Sequence, residues 1–571
     1  MAKQIFLPRF SDPRDVDEFV VKLEAYERGE LTADQFRAFR LLRGVYGQRQ
    51  EGTQMLRVKI PMGRLASGEL LALAELADKH SRGFGHVTTR QNLQFHFMPL
   101  GEAEAAMRLL DDAGMTTREA CGNSVRNVTA CDVAEVCGGA AFDVTPYAEA
   151  LVRHFLRHPL AASLPRKFKV AFSGCDDDCA FGAIHDLAFI AQVKDGARGF
   201  RVLAAGGLST SPQDAIVLHD FVPAAEVGRI GEAVVRLFHA LGNRENKHRA
   251  RLKYVLKKLG EATFRAKYAE QRAAVDAEAM AELKLPPQPD TRPAPPVIDE
   301  NATVKTPGYL EWKSSSVVDQ RQDGYAAVYV RLFLGDITSA QLRALAAIAP
   351  KFGDGTVRLS IDQNVVIPFV DRRSLPALFV QLRECGLARL DIHTARDVTS
   401  CPGADTCNLA VTSSRSVATS IATRLEASDV DGLAALADTT IKVSGCPNSC
   451  GQHHIANIGF HGGAKTVGAT TYPVYQLHLG GGVDERGARF GRQVVKLFAR
   501  RVPDAVVSLM RLYQTERAEG ESTERFFQRI DPKRVVALLQ PLLGPPTAED
   551  ATDIGETVGF LVHNGAGECA A

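Results

Sequence analysis

Four stretches of this 571-residue chain recur in the same order. "TTRQNLQFHF" (88–97) returns as "SIDQNVVIPF" (360–369), and "VRNVTACDVAEVC" (125–137) as "ARDVTSCPGADTC" (395–407). "FSGCDDDCAFGAIHDLAFI" (172–190) returns as "VSGCPNSCGQHHIANIGFH" (443–461), and "FRVLAAGGL" (200–208) as "YQLHLGGGV" (475–483). The displacement stays between about 270 and 275 residues. A single displacement shared by four segments marks a duplication, so the chain must fold into two similar halves. Between them lies "LKLPPQPDTRPAPPV" (283–297), too proline-dense to pack a core, which reads as an extended spacer or wrapping strap.

Each half opens with the same grammar. "QMLRVKIPMG" and "AAVYVRLFLG" alternate as strands, and "ELLALAELADKH" and "SAQLRALAAIAP" carry apolar residues at helical spacing. Strands follow again at "HVTTRQNLQFHF" and "VRLSIDQNVVIPF", before the cysteine-bearing segments. Such mixing predicts an α+β architecture. The expected division is an N-terminal extension (1–50), a first small α+β unit (51–117), a larger one (118–282), the Pro-rich linker (283–304), then a second small unit (305–390), a second larger one (391–545) and a tail (546–571). The last thirteen residues, "GFLVHNGAGECAA", are expected to be disordered. Neither a G-x-G-x-x-G after a strand nor a P-loop occurs, so nucleotide binding has no support. A net charge of +1 gives no global pull toward nucleic acid or membrane. No apolar run approaches the roughly 20 residues of a membrane span. "MAKQIFLPRF" lacks the apolar core of a secretory signal, so a cytoplasmic location is expected.

The cysteines speak to chemistry. There are eleven, and eight of them form four close pairs. An odd count without a secretory signal argues against a disulfide framework. In the second half Cys401-x5-Cys407 is followed about forty residues later by Cys446-x3-Cys450. Zinc sites more often space paired cysteines by two residues. An iron–sulfur cubane is larger, tolerates wider arms, and takes backbone N–H groups from glycine-rich loops such as those of Gly445 and Gly451. Four buried thiols without a metal remain the bland alternative.

A second constellation is cationic. "LPRKFKV" (164–170) brings Arg166, Lys167 and Lys169 together, with the two lysines on one strand face. "MLRVK" adds Arg57 and Lys59, "TTRQ" adds Arg90, and "NSVRNV" adds Arg126. Singly each reads as a solvated surface charge. Together, inside apolar strand patterns, they suit a small oxyanion or a polyanionic cofactor.

With these residues in place, the chain resembles the sirohaem- and [4Fe–4S]-containing sulfite and nitrite reductases from about residue 40 to about residue 540. "TSCPGADTCNLA" and "VSGCPNSCG" lie close to that family's signature. The resemblance implies two ferredoxin-like half-domains packed as one, plus two larger sirohaem-type α+β domains, in a pseudo-twofold molecule. It implies that Cys401, Cys407, Cys446 and Cys450 ligate the cubane, with Cys450 also the axial ligand of the sirohaem iron. It assigns Arg90, Gln94, His96, Arg166, Gln363 and Asn448 to sirohaem, and Arg57, Arg126, Lys167 and Lys169 to the bound oxyanion. His86 stands where some members carry an arginine. The implied reaction is six-electron reduction of sulfite to sulfide, or alternatively of nitrite to ammonia. The paired lysines of "PRKFK" favour sulfite. No flavin or nicotinamide domain is evident, so electrons must come from a ferredoxin or a flavoprotein subunit.

Two features stand apart. The first half carries Cys131-x5-Cys137 and Cys175-x3-Cys179, with three aspartates between the latter pair that would repel an anionic cluster. This set is expected to be a relic of duplication. Some members also carry a Tyr–Cys thioether near the distal pocket; Tyr46 and Cys121 are read here as an ordinary tyrosine and a free thiol. A reading from another class, a zinc-stabilised scaffold, predicts a colourless protein.

Overall fold

The computed structural model describes residues 6–287, 293–428, 430, 436–563, 565 and 568. Four five-stranded sheets form two matched pairs. Strands Thr53–Val58, Phe84–Val87 and Leu93–Pro99 lie over helices Ser67–His80 and Ala103–Asp112. The second half repeats this unit with Tyr325–Val330, Thr356–Leu359, Val365–Asp371 and helices Ser339–Phe352 and Leu375–Glu384. These are the ferredoxin-like half-domains, and each lends the other a strand. Arg64–Ala66 pairs antiparallel with Thr356–Leu359, and Asp336–Thr338 pairs antiparallel with Phe84–Val87. The long helices of the two units pack against one another. One hydrophobic core therefore spans both, from Phe95 and Leu73 to Trp312 and Ile367.

The larger domains match as closely. In the first, Val125–Ala130, Phe168–Ser173 and Leu187–Lys194 run parallel, and Ala197–Ala204 and Ile216–Pro223 continue antiparallel. In the second, Thr399–Ser400, Ile441–Ser444, Ile458–Val467, Thr470–Leu479 and Arg492–Phe498 take the same order and directions. Each sheet buries one face under helices: Thr145–Phe155 and Val227–Leu241 in the first, Ser414–Glu426 and Val502–Glu516 in the second.

The duplication reaches the backbone dihedrals. Left-handed non-glycine residues, which normally cost energy, occur in pairs: Met62 and Leu334 (φ 53° and 52°), Gln91 and Gln363 (55° and 69°), Phe97 and Phe369 (61° and 58°), Asp178 and Ser449 (51° and 58°). Strain kept in both copies is needed by the turns themselves.

Two segments reach across. The described part of the linker wraps as a strap, with the Ala294 N–H on the Gly353 carbonyl at 2.8 Å and the Val297 N–H on Ser374 Oγ at 2.8 Å. The expectation of a disordered tail is corrected where the tail is described. The Phe560 N–H bonds the Ala551 carbonyl at 2.8 Å, and the Glu568 carboxylate accepts from the Gly47 N–H at 2.6 Å and from Arg40. A carboxylate matched to a guanidinium and a free strand-edge N–H holds the tail down. Cys569 lies outside the described residues.

Candidate active site

The two cysteine arms of the second half meet under the junction of the halves. Cys401 follows the strand Thr399–Ser400, and Cys446 and Cys450 follow Ile441–Ser444, its parallel neighbour. The turns are glycine-dependent. A Cβ at Gly445 would lie 2.6 Å from the Thr412 carbonyl, and Gly403 needs φ +61°. The Gly445 N–H points at Cys401 Sγ from 3.3 Å, the donor an iron–sulfur site uses to stabilise its charge. Burial, then the neighbouring Cys450 and Cys401 sulfurs, pushes the Cys446 thiol well above its ordinary range, and burial likewise raises Cys401. The first half closes over this turn: Thr89 Oγ1 donates to the Cys450 carbonyl at 3.0 Å, the Arg49 N–H to Thr406 at 3.0 Å, and Asn408 Nδ2 to Gln48 at 3.0 Å.

The cations collect in the first half beside this turn. Arg57 on strand Thr53–Val58 faces Gln94 across the register, and with the Gln94 amide turned toward it Arg57 Nε donates to Gln94 Oε1 at 2.9 Å. Arg57 and Arg126 both donate to the Ala120 carbonyl, at 3.3 and 3.1 Å. The Lys169 main-chain N–H donates to the buried Asp186 carboxylate at 2.8 Å, which also binds Arg251 at 2.7 Å. Burial, then Arg251, Arg90 and Lys167, hold the Lys169 amine far below its usual value. Lys59, 3.9 Å from Glu119, is pushed down to about 8 by burial. Cys121 is buried in one small cluster with Tyr46, Leu41 and Met55.

The predicted cofactor residues divide in two. His96 is buried with Nδ1 3.1 Å from Gln48 Oε1 and Nε2 without a partner. Asn448 sits on the Cys450 turn, its Oδ1 3.4 Å from Ser209 Oγ, and Arg166 reaches Asn123 at 3.4 Å. Arg90 and Gln363 are also bonded within the protein. Arg90 donates to Thr129 Oγ1 at 3.2 Å and to the Asn127 carbonyl. Gln363 donates to the Val87 carbonyl at 2.8 Å and accepts the Ser400 N–H at 3.0 Å, next to Cys401.

Three cations escaped the sequence reading. Arg251 and Lys253 stand at the start of helix Leu252–Leu259, and Lys253 drives Nζ to the Leu208 and Ser211 carbonyls at 2.5 and 2.6 Å. Arg415 from helix Ser414–Glu426 pairs with Asp336, 3.0 Å from His86 Nδ1, and so brings a guanidinium within 3.4 Å of that histidine.

The first-half cysteines are brought together too. Cys175 and Cys179 sulfurs lie 3.6 Å apart, Cys137 contacts Cys175, and Cys131 contacts Cys179. Asp178 turns away to accept the Gly182 and Ala183 N–H groups at 2.7 and 2.9 Å, leaving Asp176 and Asp177 on the exposed side.

The residues present fit the expected groups. Four thiols on glycine-bracketed turns are a cluster's donor set. Buried polar atoms without a partner among the described residues include His96 Nε2, Arg49 Nε and Ser449 Oγ, donors that suit a polycarboxylate ring. Comparison with known proteins agrees. The model of the nitrite and sulphite reductase 4Fe-4S domain matches residues 121–276 and 392–540. The model of the nitrite/sulfite reductase ferredoxin-like half domain matches 46–113 and 318–385. A "Sulfite reductase [ferredoxin]" of Mycobacterium tuberculosis is 29% identical over 505 residues, 84% of this chain and 85% of the relative. A "Ferredoxin--nitrite reductase" of Synechococcus elongatus is 30% identical over 442 residues, 76% of this chain and 80% of the relative. The solved structure of the Mycobacterium tuberculosis NirA protein superposes with a TM-score of 0.76 at 27% identity, covering 91% of this chain and 97% of that one. The two half-domains and the two larger domains are thus shared, and the chain belongs to the nitrite and sulphite reductase family, with sirohaem and a [4Fe–4S] cluster as its cofactors.

Proposed function

We propose that the protein reduces sulfite to sulfide by six electrons supplied by a ferredoxin, in the cytoplasm. The observation that carries the reading is the convergence of the buried Arg126, Lys59 and Arg251 and the half-buried Arg57, Lys167 and Lys169 about the buried carboxylates Glu119 and Asp186. Such an excess of partly desolvated positive charge is costly unless an anion completes it. When bound, sirohaem and the cluster supply the electrons and the iron to which the anion attaches. Arg57 and Arg126 hold the oxyanion by charge-assisted hydrogen bonds and weaken its S–O bonds by drawing off charge. Lys167 and Lys169 release protons to the departing oxygens, and the lowered affinity of Lys169 for its proton makes it the better acid. Cys401, Cys407, Cys446 and Cys450 hold the cluster, and His96, Asn448, Arg166 and Gln94 approach the sirohaem carboxylates. Arg90 and Gln363 position the strands that carry these groups.

A second reading, reduction of nitrite to ammonia, has the nitrite reductase relative behind it. The paired lysines favour sulfite, whose reduction releases three oxygens as water rather than two and so needs more protons at the departing oxygens, for the same overall proton uptake. Steady-state turnover of sulfite and nitrite side by side, with a reduced viologen dye as donor, tests the choice. A kcat/KM at least tenfold higher for sulfite is expected. A preference for nitrite would replace the first reading by the second.

A further inference from the structure

Just beyond Cys450, four histidines come together that the reductase reading does not use. His453 and His454 form the short turn His453–Ile455; His461 and His478 face each other from the paired strands Ile458–Val467 and Thr470–Leu479. Ring centroids of His453 lie 4.1 Å from His454 and 4.9 Å from both His461 and His478. His453, His454 and His478 are buried, and each offers a ring nitrogen within 4.8 Å of the other two.

We infer that His453, His454 and His478, with His461 as fourth ligand, form a binding site for a divalent first-row metal ion of the zinc type. Three observations carry this. First, the outward nitrogen of each ring meets an oxygen. His453 Nδ1 is 3.0 Å from Ser444 Oγ, His454 Nε2 is 3.0 Å from the Ser209 carbonyl, and His478 Nδ1 is 3.4 Å from the Gly491 carbonyl. This is how proteins fix the tautomer of a ligating histidine, leaving the other nitrogen's lone pair free for the metal. Second, that inner nitrogen is unanswered in His453, whose Nε2 is buried without a hydrogen-bond partner. Third, the His478 Nε2 lone pair is met at 2.8 Å by His461 Nδ1, so an ion that displaces this proton finds a fourth nitrogen already in place. Tetrahedral ligands at about 2.0–2.1 Å from zinc stand about 3.3 Å from one another, so modest side-chain rotation closes the set. Burial and the neighbouring rings also keep these imidazoles neutral, which is the form that ligates.

Imidazole suits zinc, copper and nickel, and a closed four-nitrogen site is structural rather than catalytic. Its place defines its work. Ser209 belongs to the first half, and its hydroxyl also meets Asn448 on the Cys450 turn. The ion would pin that turn, its own sheet and the other half's loop to one point. Since no ligand is exposed apart from part of His461, the ion enters as the halves close and does not exchange from the native protein.

The test uses full-length holoenzyme made without a histidine tag, from cells grown with added zinc. Metal analysis is expected to give about one zinc per chain beside the iron, retained through dialysis against a chelator. X-ray absorption at the zinc edge is expected to show a nitrogen shell at about 2.0–2.1 Å and no sulfur at about 2.3 Å. His454→Gln and His478→Gln each lose the zinc, whereas the double variant Cys175→Ser, Cys179→Ser keeps it. Absence of stoichiometric zinc, a sulfur shell, or zinc retained in both histidine variants would overturn the site. If the histidine variants do not fold, the absorption spectrum of the unmodified protein decides alone, and neither outcome touches the assignment of sirohaem.

Discussion

Charge without water is the theme at the level of single residues. Lys59, Lys169 and Lys253 all bind their protons less tightly than free lysine, in each case mainly through burial. An anion bound among them would reverse the effect, which is why the pocket attracts one. Lys167→Met is expected to leave sirohaem absorbance intact and to lower turnover with sulfite at least a hundredfold, the scale of lost general-acid catalysis; full activity would remove Lys167 from the chemistry. The pH dependence follows from Lys59. Its amine sits at about 8 rather than 10.5, so it is cationic below that pH and neutral above it. Nitrite keeps its own charge across this range. Its KM is therefore expected to rise several-fold as pH climbs from 7 to 9, the loss of one charge being worth about 1 kcal/mol. The rise should vanish in Lys59→Met. "MLRVK" and "LPRKFKV" made most of these cations legible, because lysines inside an apolar strand pattern demand a reason. Arg251, Lys253 and Arg415 were not legible, since only the tertiary fold brings them to Asp186, Leu208 and His86.

Between elements, a pair of glutamines does for the two halves what no single strand could. Gln91 donates to the Ala130 and Leu359 carbonyls, each at 2.9 Å, and accepts the Ala130 N–H at 3.0 Å. Gln363 makes the mirror-image set with Val87 and Ser400. Each thus ties its own half-domain to the adjoining large sheet and to the other half-domain. Gln363→Leu leaves a buried carbonyl and a buried N–H unpaired and is expected to cost about 2–4 kcal/mol. A lowered melting temperature with reduced cluster content checks it, and an unchanged melting temperature would argue against the role. The strand and helix patterns of both half-domains could be read from residue alternation. The exchange of Arg64–Ala66 and Asp336–Thr338 could not, because period-two patterning marks a strand without naming its neighbour.

At the scale of the molecule, the duplication asks why one half holds the anion and the other the cluster. The half-domain offset of 272 residues places Tyr329 opposite Arg57, and the domain offset of 271 places Asp438 opposite Lys167 and Thr440 opposite Lys169. Arg126 and Lys59 keep cationic counterparts in Arg396 and Arg331, so the mirror pocket has lost only part of its positive charge. Half-buried Tyr329 now stands beside Asp132 and the Cys131 and Cys179 sulfurs. One half keeps a cationic wall and the other keeps open, glycine-framed thiols, and they face each other across a single turn. The account therefore predicts a single coupled centre, and Cys450→Ser is its most direct test. Unmodified protein should hold about five iron atoms and one sirohaem per chain, four of the irons in the cubane, while the variant should lose turnover at least a thousandfold along with cluster or sirohaem. A Cys450→Ser protein that keeps both prosthetic groups and its normal rate would contradict the account.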